Sequence, residues 1–73
     1  MLRPVQVADM LERLAEHTVE LEVNPLLIEQ DYRRRVLEMS LELEGGNQVK
    51  TARRLGVHRN TLHRMLVRYG VKP

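Results

Sequence analysis

The side chains best suited to chemistry crowd into one short stretch: His58, Arg59, Asn60, Thr61, His63, Arg64 and Arg68. They offer imidazole, guanidinium, amide and hydroxyl groups, and no carboxylate. Catalysis is a poor use for that set. No histidine stands in an identifiable arrangement with a nucleophile and an acid. His58 and His63 are five apart, so they do not share a helix face as zinc-binding pairs four apart do, and the surrounding arginines oppose a cation. A polyanion is a better match. The Arg59 guanidinium has the fork that fits guanine O6 and N7, with His58 and Asn60 beside it as further base-edge candidates. Thr61, His63, Arg64 and Arg68 suit phosphate oxygens. No catalysis, cofactor or metal is expected.

The charge distribution sharpens this. Residues 45–73 hold seven bases (Lys50, Arg53, Arg54, Arg59, Arg64, Arg68 and Lys72) and no acid. Residues 1–44 hold all ten acids against five bases, so a net charge of +2 divides into −5 and +7. A basic face binds duplex DNA by releasing counterions from its phosphates. Only two aromatic residues are present, Tyr32 and Tyr69, which argues against a stacking platform for single strands or RNA.

Two helices must hold these groups. Asn47 is a good N-cap, opening a helix over about 48–55. Gly56 supplies a turn, Val57 is expected inside it, and a second helix runs over about 59–69. Ala52 faces that second helix, Leu55 points inward, and Leu62, Met65, Leu66 and Tyr69 form a stripe at helical spacing. A small residue, a glycine four on and an apolar residue six further on are what a helix-turn-helix corner requires. The second helix would enter the major groove N-terminus first. Asn47, Gln48 and Lys50 then become phosphate candidates at the start of the first, with Arg53 and Arg54 close enough to contribute or else solvating the helix.

Residues 1–44 read as two longer helices, about 5–21 and 26–43, separated at Asn24-Pro25, where proline fits a helix start. Val7, Leu11, Leu14, Thr18 and Leu21 recur at four, three, four and three, the seam of paired helices. Ile28, Tyr32, Met39 and Leu43 line one side of the second helix, Val36 bridges them, and Leu37 and Leu41 add another flank. One of Arg33, Arg34 and Arg35 is expected to pair with Asp31, Glu29 or Glu38. Glu12, Glu16 and Glu20 form an outward acidic row that solvates the first helix. A chain of 73 residues buries only about 60% of its unfolded surface. With no cysteine there is no disulfide to staple it. A helical hairpin cannot bury both flanks of each helix, so a second copy is the natural stabiliser. The expected dimer interface is Val7, Leu11, Leu14, Thr18, Leu21, Ile28 and Tyr32.

Gly46-Asn47-Gln48, Ala52, Leu55-Gly56-Val57, Arg59, Thr61-Leu62 and Tyr69-Gly70 resemble the DNA-binding domain of the Fis family. That family spans a nucleoid protein and the C-terminal domains of NtrC-type bacterial enhancer-binding activators. The resemblance covers about residues 24–71. It implies a homodimer through the first two helices, two recognition helices and bent DNA. It also implies base-contacting positions at His58 and Arg59, and phosphate-contacting ones at Asn47, Gln48, Thr61 and Arg64. The chain departs from the nucleoid protein at His58, where that protein has asparagine, and at His63, where it has a basic residue.

The expected architecture is therefore all-α: a dimerisation hairpin over residues 1–44 and a helix-turn-helix over 45–73, in one domain. The expected function is sequence-specific double-stranded DNA binding as a homodimer, as part of a bacterial transcriptional activator of the enhancer-binding type. A free-standing Fis-like DNA-bending protein is the alternative. An oligomerisation module without DNA binding is the competitor of another class, and it leaves the acid-free segment unexplained. No G-x-x-x-x-G-K-[ST] occurs; if the chain is a fragment of an activator, the nucleotide-hydrolysing or regulatory domain is expected upstream in the same polypeptide. No apolar run approaches the roughly 18 residues of a membrane span, and no signal-peptide apolar region is evident. The expected location is cytoplasmic, on the nucleoid.

Overall fold

The computed structural model describes residues 3–72. Within them the chain forms four helices and no strand: α1 (Pro4–Glu20), α2 (Pro25–Leu43), α3 (Gln48–Leu55) and α4 (Arg59–Arg68). Each start has a local cause. Proline is the first residue of α1 and α2, where its missing N–H costs nothing. Asn24 caps α2 and Asn47 caps α3, their side chains accepting the N–H of Leu26 at 2.9 Å and of Lys50 at 3.0 Å. His58 caps α4.

All four helices stop in the same way. In α3 the N–H of Val57 reaches the Ala52 carbonyl at 3.0 Å, and that of Gly56 reaches Arg53 at 3.2 Å. This double closure needs a left-handed residue just past the helix, and Gly56 supplies it at φ 69°. The corresponding bonds recur after α2 and α4, again around glycine. After α1 the left-handed residue is Glu22, at φ 56°, a conformation that L side chains adopt at a cost of about 1–2 kcal/mol.

The core lies where α2, α3 and α4 meet. Leu37 and Leu41 from α2, Ala52 from α3, Leu62 and Leu66 from α4, and Val71 beyond it are buried together. Leu62 is 0% exposed. Two polar side chains join them, Ser40 and Thr51. The Thr51 hydroxyl donates to the Asn47 carbonyl at 2.7 Å, so its burial leaves no orphan group. Leu55, Val57, Met65 and Tyr69 are half-buried and rim the core rather than fill it. In α2 the flank of Leu37 and Leu41 faces the core, whereas Met39 and Leu43 on the other side stay exposed.

α1 is different. It has no buried residue. In the single chain, α1 and the first half of α2 bury no common seam: Leu11 is 61% exposed and Leu21 70%. The Cα radius of gyration, 14.2 Å, exceeds the roughly 11 Å of a compact chain this long, because α1 stands clear of the rest.

Candidate nucleic-acid interface

The corner between α3 and α4 is built from the core outward. Ala52 is small, so the helices approach closely there. Gly56 turns the backbone, and Leu62 and Leu66 hold the inner side of α4 against α2 and α3. What remains outside at the start of α4 is His58, Arg59 and Asn60, all exposed, with half-buried Thr61 behind them. His63 and Arg64 follow on the exposed surface. Arg68 stands nine positions beyond Arg59, about 13 Å along the axis. Its guanidinium lies 5.8 Å from the Tyr69 ring centroid, within cation–π range. The expected base-edge candidates therefore share one helix end, and Arg68 does not join them.

Asn47, Gln48 and Lys50 sit at the opposite end of α3 from the corner. Asn47 spends its side-chain oxygen on the Lys50 N–H, and its carbonyl accepts from Thr51 N–H. Only its amide NH₂ is left to donate outward, beside the first N–H groups of α3. That refines the expectation for the helix start, since the Lys50 N–H is already committed.

Ion pairing separates the two charge regions. On α2, Arg33 pairs with Glu29 at 2.7 Å, Arg34 with Asp31 at 3.1 Å, and Arg35 with Asp31 at 3.0 Å. On α1, Arg13 pairs with Asp9 at 3.2 Å. The Asp31 carboxyl is held below the usual aspartate range, chiefly by the hydrogen bond from Arg35, then by the charges and bond of its arginine neighbours. Beyond Gly45 a single base has an acidic partner among the described residues: Arg54 donates to Glu44 at 2.9 Å. Arg54 is thus tied down, and of the expected contributors Lys50 and Arg53 keep their charge free of any ion pair. Arg59, Arg64 and Arg68 are likewise unpaired with acids among the described residues. Apart from Arg54, the bases of α3 and α4 have no acidic partner among the described residues.

Three arrangements escaped sequence reasoning. The Glu44–Arg54 pair spans ten residues and forms only because α3 folds back across the end of α2. Arg33 also donates to the Tyr69 hydroxyl at 3.1 Å, tying α2 to the end of α4 across 36 positions. His58 is the cap of α4, its Nδ1 accepting the Asn60 N–H at 3.1 Å. A sequence signal existed only for the last, because a polar residue ahead of a helix is a candidate cap.

Residues 34–69 match the model of a family described as bacterial regulatory protein, Fis family. This segment is a Fis-family helix-turn-helix DNA-binding domain. The match takes in the core-facing half of α2, the α3–α4 corner and the whole of α4, and stops before Gly70. α1 lies outside it. No curated protein and no solved structure matches the chain. The Fis-family segment carries the core residues of α2, α3 and α4, and the bases Lys50, Arg53, Arg59, Arg64 and Arg68 that have no acidic partner among the described residues. DNA is its partner, and its role is that of a regulator's DNA-binding domain. No helix among the described residues is long and apolar enough to cross a membrane.

Proposed function

We propose that the chain binds double-stranded DNA sequence-specifically as a homodimer, and that it serves a cytoplasmic transcriptional activator of the enhancer-binding type. The observation that carries the reading is the unpaired positive surface of α3 and α4, held rigid at a helix-turn-helix corner. Arg59 is assigned direct readout of guanine, with His58 and Asn60 at neighbouring base edges. Asn47, Gln48, Lys50, Thr61, His63, Arg64 and Arg68 are assigned to phosphates, which fix the register.

The exposed seam supports the dimer. Val7, Leu11, Leu14, Leu21 and Tyr32 are exposed, and Thr18 and Ile28 are half-buried. A row of apolar side chains this long on a monomer marks an interaction surface. Two copies packed through α1 and α2 form a four-helix core and present two recognition helices. ATP hydrolysis and effector sensing are assigned to other parts of the polypeptide.

Fluorescence anisotropy of a labelled duplex of two to three turns, titrated at several salt concentrations, tests this. Two chains per duplex and an affinity falling steeply with salt are expected. No binding at low salt overturns the reading. Sedimentation equilibrium showing only monomer at micromolar concentration overturns the dimer.

A further inference from the structure

Leu37 and Leu41 of α2 and Leu62 and Leu66 of α4 are buried in one core. One further step along each row ends the apolar contact. Arg33 stands four residues before Leu37, and Tyr69 three after Leu66. There a single polar rung takes over: the Arg33 guanidinium donates to the Tyr69 hydroxyl at 3.1 Å. Both partners are held from a second side. The other Nη of Arg33 reaches Glu29 at 2.7 Å, and the Arg68 guanidinium lies 5.8 Å from the Tyr69 ring centroid. Two grooves between α2 and α4 meet at this rung. One, of about 370 Å³, reaches Leu27 and Asp31; the other, of about 220 Å³, reaches Leu26 and Glu29. With open space beside it, the rung rather than packing fixes the separation of the helices at this point. Apolar contact is non-directional, whereas a hydrogen bond is made only over a narrow range of distance and angle.

We propose that Arg33 and Tyr69 are positioning residues for DNA recognition: their bond sets the tilt of α4 against α2, and with it the half-site spacing that the homodimer accepts. This rests on the reading of the chain as a homodimer with α4 as its recognition helix. Ile28 and Tyr32 share the first half of α2 with Arg33 and are assigned to the partner interface. That half is therefore the part of each chain held fixed against the other copy. Tyr69 closes α4 at the end opposite His58, Arg59 and Asn60, so the rung acts on base reading through position and not through contact. The two-fold axis of a homodimer repeats any change of tilt in the second copy, so the distance between the two recognition helices changes by twice the amount.

Binding sites selected from a random pool by the wild-type chain, then rebuilt with one or two base pairs added or removed between the half-sites, test this. Each pair moves a half-site by about 3.4 Å and turns it by about 34°. The wild-type chain is expected to bind the selected spacing best and to lose affinity steeply at the others. Tyr69→Phe removes the accepting oxygen and keeps the ring beside Arg68. It is expected to melt near the wild-type temperature, since the bond is exposed and water competes for it. The ratio of its affinities for the selected and shifted spacings falls about three- to tenfold, with base preference inside each half-site unchanged. Arg33→Met removes the donor and gives the same profile, and the double variant goes no further than either single one. Arg33→Lys keeps a donor and recovers part of the spacing preference.

Spacing profiles of Tyr69→Phe and Arg33→Met that match the wild type overturn the proposal alone, as does a double variant whose losses add. A wild-type chain that binds two copies per duplex with no spacing preference overturns it as well. One chain per duplex, or no selected sequence, overturns the homodimer and recognition-helix reading, and this proposal with it.

Discussion

α1 and α4 are both amphipathic helices of one short chain, and they end up in opposite situations. α4 lays Leu62 and Leu66 into a closed core and turns unpaired bases outward. α1 leaves its apolar row bare and pairs its one internal arginine with a neighbouring aspartate. The difference lies in what each helix has to pack against. A small residue, a tight glycine turn and the Leu37–Leu41 flank surround α4 within the same chain. For α1 the only neighbour in sequence is the first half of α2, and the seam between them is not closed. One half of the molecule is finished by its own fold. The other leaves its apolar row exposed in the single chain.

The largest effects should break this contrast at the core. Leu62→Ala is expected to destabilise the chain by about 2–5 kcal/mol, read by thermal or denaturant unfolding. Leu11→Ala should cost almost nothing at protein concentrations where the chain is monomeric, and should lower stability only where it self-associates. An equal loss for Leu11→Ala at all concentrations would mean that α1 packs within one chain after all.

Next come the bases. Arg59→Ala is expected to weaken specific binding by about 1–3 kcal/mol and to relax sequence preference. Arg64→Ala should weaken binding to every duplex alike, with the log–log salt slope shallower by about 0.9. Glu44→Gln releases Arg54 from its ion pair, and the slope should steepen by a similar amount. An unchanged slope would show that Arg54 does not reach phosphate even when free.

Backbone effects follow. Gly56→Ala meets no atom within 4 Å, so its cost is the left-handed backbone alone, about 1–2 kcal/mol. Glu22→Gly should act in the opposite sense at the end of α1, stabilising it by up to about 1 kcal/mol, with more helix by circular dichroism. A neutral Glu22→Gly would show that the α1 end contributes nothing until a partner docks.

The smallest effect concerns acid. The Asp31 carboxyl is depressed in the folded chain, chiefly by Arg35. The stability it contributes is therefore present above the unfolded-state value and is lost as pH falls through the folded one. Asp31→Asn should flatten the acid side of a melting-temperature profile below about pH 4 and leave the neutral side almost unchanged, since the pair is exposed. An unaltered acid limb would assign the slope to the other carboxylates.

Much was legible in the chain before any coordinates. The four helices follow from Pro4, Asn24-Pro25, Asn47 and the glycines, which act within a few residues and are read locally. Ala52, Gly56 and Leu62 announced the corner by spacing alone. The depth of burial was not legible: Leu55, Val57, Met65 and Tyr69 fit the apolar stripe as well as Leu62 does, yet they lie at its edge. Periodicity gives the direction a side chain faces, not how much protein lies in front of it.

The two flanks of α2 teach the same lesson. Ile28, Tyr32, Met39 and Leu43 formed as good a row as Leu37 and Leu41, and the latter became the core. The charges divide likewise. Sequence established that all acids precede Gly45, and it led to one ion pair being expected among Arg33, Arg34 and Arg35, where the structure has all three paired with acids three or four positions away. Glu44 reaching Arg54, and Arg33 reaching Tyr69, depended on helices folding back across ten and 36 positions. Helix identity, helix ends and charge segregation are local properties, and the sequence by itself determined them. Which apolar flank closes, which base stays free and which nitrogen of His58 caps α4 were decided by the tertiary structure, because each depends on groups that are distant in the chain or on the geometry of a turn.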